Sequence, residues 1–213
     1  MDSTGSDGSQ NAKQVTCRAT MEEGGMDQVR LRVRLEDVNG NVPTGARVLL
    51  QTPEQEISWV YYNSVSAMYE SNLSGLTSGA YTVTVDSAAG NSLLSIPMTL
   101  LSATPDIITL QDAHGITAGH GQNMSGSCAV SAAWKPIEGA TVYKGTVYCG
   151  AVTAFVFSSS TNSFMIPPDT LVGGRTYNLS IEAQYIGGDP YLQEHNYYAF
   201  SYSESPDYFF TIE

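Results

Sequence analysis

Between Val29 and Leu35 apolar and basic residues alternate without a break: Val29, Leu31, Val33 and Leu35 take one phase, Arg30, Arg32 and Arg34 the other. A period of two puts the two sets on opposite faces of a strand. The pattern therefore predicts a half-buried strand with its arginines toward water. The run meets residues 37–41, DVNGN, where Asn39 and Gly40 suit the positive backbone angles of a tight turn. It resumes as ARVLL beyond Pro43 and Gly45. Residues 68–86 predict another strand, a turn between Gly75 and Gly79, and the alternation of Tyr81, Val83 and Val85 with Thr82, Thr84 and Asp86. In the second half, Val130, Ala132 and Trp134 share a face, Pro136 to Gly139 make a turn, and Tyr143, Gly145 and Val147 alternate along the next strand. Leu171, a Gly-Gly turn, then Tyr177, Leu179, Ile181 and Ala183 continue in the same phase. Every segment has the strand period, so the fold class is all-β.

Composition fits that reading. The 213 residues are 42% apolar, enough to bury a real core and to make one large or two ordinary domains. Only 14% are charged, while Gly and Tyr are abundant, as expected of short strands joined by turns rather than long helices. A net charge of -12 with no Lys/Arg cluster excludes nucleic acid as a partner, because phosphate-backbone affinity needs many basic groups. No apolar run approaches the roughly 18 residues that span a bilayer, and no basic, then apolar, signal segment opens the chain. The chain is expected to be soluble. Residues 1–14, MDSTGSDGSQNAKQ, lack apolar periodicity and read as a flexible leader.

Two stretches resemble known families. LEDVNGNVPTGARVLL followed by SGLTSGAYTVTVDSAAGN, within residues 28–90, resembles the Greek-key modules of carboxypeptidase-regulatory-like (transthyretin-like) and invasin-type bacterial Ig-like domains. Short motifs do not separate the two. Residues 105–213 resemble a fibronectin type III domain: Trp134 stands where its second strand has a buried tryptophan, Tyr143 at its third-strand tyrosine, Leu171 with Tyr177 at its L-x-x-G-x-x-Y corner, and SESPDYFFTIE at its last strand. The chain departs from that family at residues 186–200, where the connection before the last strand is long. The leader resembles the tether of bacterial surface lipoproteins.

These resemblances imply two Greek-key β-sandwiches (Ig-like) in tandem: a leader over 1–14, a sandwich over 15–103 and a fibronectin type III-like sandwich over 104–213. Pro105, in SATPD, stops a continuing strand at the junction. The implied role is a non-catalytic, extracytoplasmic, surface-anchored module for adhesion, assembly or spacing. Its membrane contact would come only through a lipid anchor upstream of Met1.

Residues in a chemically suggestive arrangement are few. Three cysteines allow one internal bond. Cys128 lies six residues before Trp134 and Cys149 six after Tyr143, so both return to one end of the sandwich in the inward phase. They are a candidate disulfide if the strands converge, since facing sheets stand ~10 Å apart and a bond needs Cα atoms within ~7 Å. Otherwise they are two small buried residues. Cys17 is expected to lie outside both cores. His114 and His120 share a Gly-rich loop without a ligand-type spacing, and residues 37–41 look like the start of a calcium loop but lack its bidentate Glu. No metal, cofactor or catalytic constellation is expected.

Surface residues are more suggestive. Tyr191, Tyr197, Tyr198, Phe200 and Tyr202 crowd one segment beside Asp189, Glu194 and His195. Tyrosine offers contact area at low entropy cost. Tyr191, His195, Tyr197 and Tyr198 are candidate contacts for a protein or glycan at the cell surface; the alternative is that the tyrosines extend a hairpin and pack on the core. A carbohydrate-binding module built on residues 189–202 is the second functional reading. Arg30, Arg32 and Arg34 are expected to meet Glu70 and Asp86 across strands, or else to form an anion-binding stripe for an acidic glycan. Asn-x-Ser sequons at Asn72, Asn123 and Asn178 matter only in a eukaryotic secretory host.

Overall fold

The structure, a computed structural model, describes residues 15–25, 28–101, 105, 107–112, 123–124, 129–192 and 196–213. Among them are sixteen strands and no helix: β1 (Val15–Gly25), β2 (Gln28–Asp37), β3 (Arg47–Gln51), β4 (Ile57–Asn63), β5 (Met68–Ser74), β6 (Gly79–Asp86), β7 (Ser92–Leu100), β8 (Ile107–Asp112), β9 (Asn123–Met124), β10 (Val130–Trp134), β11 (Val142–Cys149), β12 (Val152–Ser159), β13 (Ser163–Ile166), β14 (Arg175–Gly188), β15 (Tyr197–Glu204) and β16 (Tyr208–Ile212). The fold class is all-β, as the period-two pattern requires. Two compact units are present, and no single cut divides them. Unit 1 comprises Met1–Leu76, Ala80–Met98 and Gly187–Phe200; unit 2 comprises Thr77–Gly79, Thr99–Ile186 and Ser201–Glu213.

In unit 1, β1 and β2 pair antiparallel over their length and β2 pairs with β5. The inward phase of β2 is the one read from sequence: Leu31, Val33 and Leu35 are buried, and Arg30 and Arg32 stand on the other face. Opposite them, β3 pairs with β6 and buries Val48, Leu50, Tyr81, Val83 and Val85. The strand that joins the two sheets is β4. Ile57 to Val60 pair with β3, whereas Tyr61 to Asn63 pair with β5. A strand that changes partners in this way makes a corner of a sandwich.

The segment 37–41 is a turn. Asp37 Oδ1 accepts from the amides of Asn39 (2.8 Å) and Asn41 (2.9 Å), and Gly40 takes φ 78°. Residues 87–91 repeat the design, with Ser87 Oγ accepting from Asn91 N at 3.1 Å and Gly90 at φ 85°. A short side-chain oxygen before a left-handed residue closes both loops locally.

Cys17 departs from expectation. It lies on β1 with zero exposure, in phase with buried Ala19 and Met21, and belongs to the core of unit 1. No motif covers residues 15–25, and the alternation of Val15, Cys17, Ala19 and Met21 is too weak in apolar content to stand out. Residues 187–200 also belong to unit 1: the Cys17 amide donates to Asn196 O at 2.8 Å, and β15 lies next to β1 in the sheet order. The segment before the last strand is therefore chiefly the long β14–β15 hairpin.

Unit 2 has one sheet in the order β13-β10-β8, and a second in which β11 pairs with β12 and β14, and β14 with β16. The features carrying the fibronectin type III resemblance take their expected places. Trp134 is fully buried, edge-on to Tyr143 with ring centroids 5.2 Å apart. The Tyr143 hydroxyl accepts from Ile137 N at 2.8 Å. Tyr177 forms the corner, its hydroxyl accepting from Val172 N (2.7 Å) and donating to Val172 O (3.2 Å), beside buried Leu171. Gly145, in the middle of β11, faces Phe157 on β12, whose ring lies directly over it and stacks on Phe164 with centroids 3.4 Å apart. The ring occupies the space of the missing side chain.

A Cβ at position 145 would run into the Phe157 ring. Gly145→Ala is therefore expected to lower stability by roughly 1–3 kcal/mol, the cost of overpacking, read as a shift in the urea midpoint. For unit 1, burial pushes the Cys17 thiol from 9.0 up to about 12. The unfolded chain ionises this thiol first, so its contribution is intact below pH 9 and is lost as pH rises toward 12, by at most about 1.4 kcal/mol per pH unit. Denaturation midpoints measured across that range should show this slope, and Cys17→Ala should flatten it.

Candidate functional site

β4 carries the most conspicuous surface. Val60 points into the core, so Ile57, Trp59 and Tyr61 share the outer face. Tyr62 is in phase with Val60, yet at the corner where β4 changes sheets it escapes the interior and stays 47% exposed. Trp59 is 47% exposed and Tyr61 72%; with Ile57 and Val65 they place five large exposed apolar side chains within nine residues. Isolated exposed apolar residues need no explanation, but a contiguous set does.

Tyr69 underpins the corner. Its ring packs on Tyr62 with centroids 5.3 Å apart, and its hydroxyl donates to Ala46 O at 2.9 Å, holding the segment that leads into β3. Burial, and then the neighbouring Tyr62, push the Tyr69 phenol up, so it keeps its proton and its donor role at neutral pH.

Two open grooves flank the ridge formed by Tyr61 and Tyr62. One, of 490 Å³, runs between Pro43, Ala46, Val48 and the Trp59 to Tyr62 segment and is mainly apolar. The other, of 650 Å³, is polar and is lined by Arg30, Arg32, Asn63, Glu70, Ser71 and Asn72. Both volumes lie in the range of ligand sites, roughly 300–1,000 Å³.

Charges in the polar groove are largely balanced. Arg32 lies between Glu22 (3.2 Å) and Glu70 (3.5 Å), while Arg34 pairs with Glu36 at 2.7 Å. Arg30 donates through Nε to Asn72 Oδ1 at 3.3 Å, and Asn63 Nδ2 donates to Glu70 Oε2 at 2.8 Å. Glu70 is thus the partner its phase suggested. Asp86 is not: it lies opposite Arg47, because β6 pairs with β3 rather than β2. Two of the three arginines read as an anion-binding stripe are already matched by carboxylates.

The tyrosine-rich segment is arranged differently. Tyr191 is 78% exposed on a turn where Asp189 Oδ1 accepts its amide at 2.8 Å. Tyr197 and Tyr198 are half-buried. The Arg18 guanidinium sits 5.7 Å from the Tyr198 ring centre and donates to Pro190 O at 2.9 Å, and the Phe200 ring stacks on Tyr198 with centroids 6.3 Å apart. Burial raises the Tyr198 phenol and Arg18 opposes it. Of the tyrosines at the hairpin tip, Tyr191 projects while Tyr198 clamps the tip to β1. His195, like His114, His120 and Cys128, lies outside the described residues. Cys149 is a free, half-buried thiol at the end of β11, with Arg175 Nη1 3.9 Å from its sulfur. Among the described residues no three His, Cys, Asp or Glu side chains gather as metal ligands.

Sequence reasoning missed Trp59, Tyr61 and Tyr62. The signal was present in ISWVYYN: aromatic residues two apart, flanking a single aliphatic core residue, place two aromatics on the outer face.

No family model matches the chain, and no curated protein matches it. Among solved structures, a cytokine receptor complex is similar at 8% identity over 92% of this chain and 95% of that chain, with a TM-score of 0.39. A two-domain fibronectin type III segment of chicken tenascin is similar at 13% identity over 90% and 94%, with a TM-score of 0.31. The adhesin InvE of Yersinia pseudotuberculosis is similar at 15% identity over 94% of this chain, which spans 60% of that one, with a TM-score of 0.30.

The chain has two tryptophans, one half-exposed at the ridge and one fully buried. Acrylamide should therefore quench Trp59 and spare Trp134. Trp59→Phe should leave a blue-shifted, quencher-resistant emission.

Proposed function

We infer that the protein is a non-catalytic binding module of adhesion or assembly type, acting outside the cytoplasm, and that unit 1 recognises its partner through the β4 corner. The observation that carries this reading is the exposed set Ile57, Trp59, Tyr61, Tyr62 and Val65 beside two open grooves. Aromatic anchors with nearby polar groups are the chemistry of recognition. Open grooves suit binding more than chemistry, since catalysis gains from a site that excludes water and holds charged groups in a fixed, dry arrangement. The polar leader at residues 1–14 suits a tether, and a lipid anchor upstream of it would hold the module at a surface facing protein or glycan partners.

Tyr191, exposed at the hairpin tip, supports a second contact point. Beads coated with the full chain should adhere to bacterial envelope preparations. Joint replacement Trp59→Ser, Tyr61→Ser and Tyr62→Ser should reduce bound beads roughly tenfold or more, as removal of central aromatic anchors does, with circular dichroism unchanged. Tyr191→Ala should have a smaller effect. Undiminished adhesion by the triple variant would move recognition away from β4.

A further inference from the structure

We propose that the β4 corner binds a neutral, extended glycan, laid across the Tyr61–Tyr62 ridge from the apolar groove into the polar one. The proposal rests on the β4 reading above and names its ligand class.

The ridge has two chemically different sides. On one, Trp59 and Tyr61 from the outer face of β4 and Tyr62 from the other face border the apolar groove, with Pro43 beside them. On the other stand two arginines, a glutamate, two asparagines and two serines. A sugar ring has the same division, with C–H faces that pack on aromatic rings and hydroxyls around its edge that need hydrogen-bond partners. Partners are on offer. Arg30 and Asn72 line the groove, and their bond to each other uses only Arg30 Nε and Asn72 Oδ1, so the guanidinium's terminal nitrogens and the Asn72 amide nitrogen take no part in it. Ser64 and Ser71 line the same wall. The phenol hydroxyls of Tyr61 and Tyr62 and the Trp59 indole N–H make no hydrogen bond among the described residues.

Charge selects a neutral ligand over an acidic one. Glu70 contacts Arg32 and receives Asn63, so the groove's second arginine carries no spare charge. Glu22 adds another carboxylate to the same guanidinium. The chain as a whole carries -12, which repels a polyanion at long range. Shape selects a polymer over a small molecule. Neither groove encloses its contents, and the two adjoin through Tyr61 and Tyr62, which line both. Trp59 and Tyr61 lie two residues apart on one strand face, about 7 Å along it. That spacing offers successive rings of a chain successive platforms.

The test titrates the full chain with neutral hexasaccharides of β-linked glucose, α-linked glucose and β-linked N-acetylglucosamine, with heparin as the polyanion. The readout is tryptophan emission, in which Trp59 reports on the site and buried Trp134 serves as an internal reference. At least one neutral sugar should give a saturable blue shift, insensitive to roughly 0.5 M salt, where charge interactions are screened within a few ångströms. Tyr61→Ala should weaken it about tenfold, the scale of one aromatic platform, while Tyr191→Ala leaves it unchanged. Heparin alone producing the shift, or no neutral sugar doing so, overturns the proposal. A parallel assay uses envelopes whose sugars have been cleaved by periodate. β4-dependent adhesion that survives this treatment overturns the glycan assignment and leaves the adhesive reading standing; absence of adhesion by the wild-type chain overturns the adhesive reading itself.

Discussion

The hydrogen bonding of β4 is the constraint on which unit 1 depends. A strand has two edges of backbone donors and acceptors, and each buried group must find a partner. β4 divides its length, giving Ile57 to Val60 to β3 and Tyr61 to Asn63 to β5, so that one short strand closes both sheets around a single core. Tyr62 keeps the inward phase and packs on the buried Tyr69 opposite it, yet at this corner it remains half-exposed. An aromatic side chain that the phase assigns to the interior is left partly at the surface. The exposed aromatic corner is thus a by-product of sandwich closure, and Tyr69 keeps it in place by tying the β3 approach through Ala46.

Unit 2 shows the opposite use of aromatic residues. Trp134, Tyr143, Phe157 and Phe164 all turn inward, and their ring contacts fill the space between the sheets. Gly145 is part of that packing, because only a residue without a side chain allows Phe157 to lie across β11. Two hydroxyls, those of Tyr143 and Tyr177, satisfy turn amides that would otherwise lack partners. Nothing comparable to the β4 corner is exposed on β10 or β11. One unit uses its aromatic side chains for cohesion; the other leaves several available for contact.

The arginines of β2 act at the surface in a different way. Arg32 bridges two carboxylates on the flanking strands, Glu22 of β1 and Glu70 of β5, and Arg34 meets Glu36 on its own strand. Half-exposed pairs of this kind contribute little energy each, roughly 0.2–1 kcal/mol. Their larger effect is on register, since slipping β2 by one residue would bury three guanidinium groups and expose Leu31, Val33 and Leu35.

The sequence by itself determined the local periodicity and its immediate consequences. Leu31, Val33 and Leu35 had to share a face, Asp37 to Asn41 had to turn, and Trp134, Tyr143, Leu171 and Tyr177 were legible as a spaced set, because strand phase and turn chemistry depend on near neighbours. Tertiary structure decided which strands lie side by side. It placed Glu70 against Arg32 and Asp86 against Arg47, buried Cys17, and fastened Tyr198 beneath Arg18, a residue 180 positions away in the chain. Pairing between distant strands is set by the fit of whole faces and edges, and no short window of sequence holds that information. Tyr62 shows the division most clearly: its phase was fixed by its neighbours, and its exposure was fixed by a change of partner that only the assembled sheets could impose.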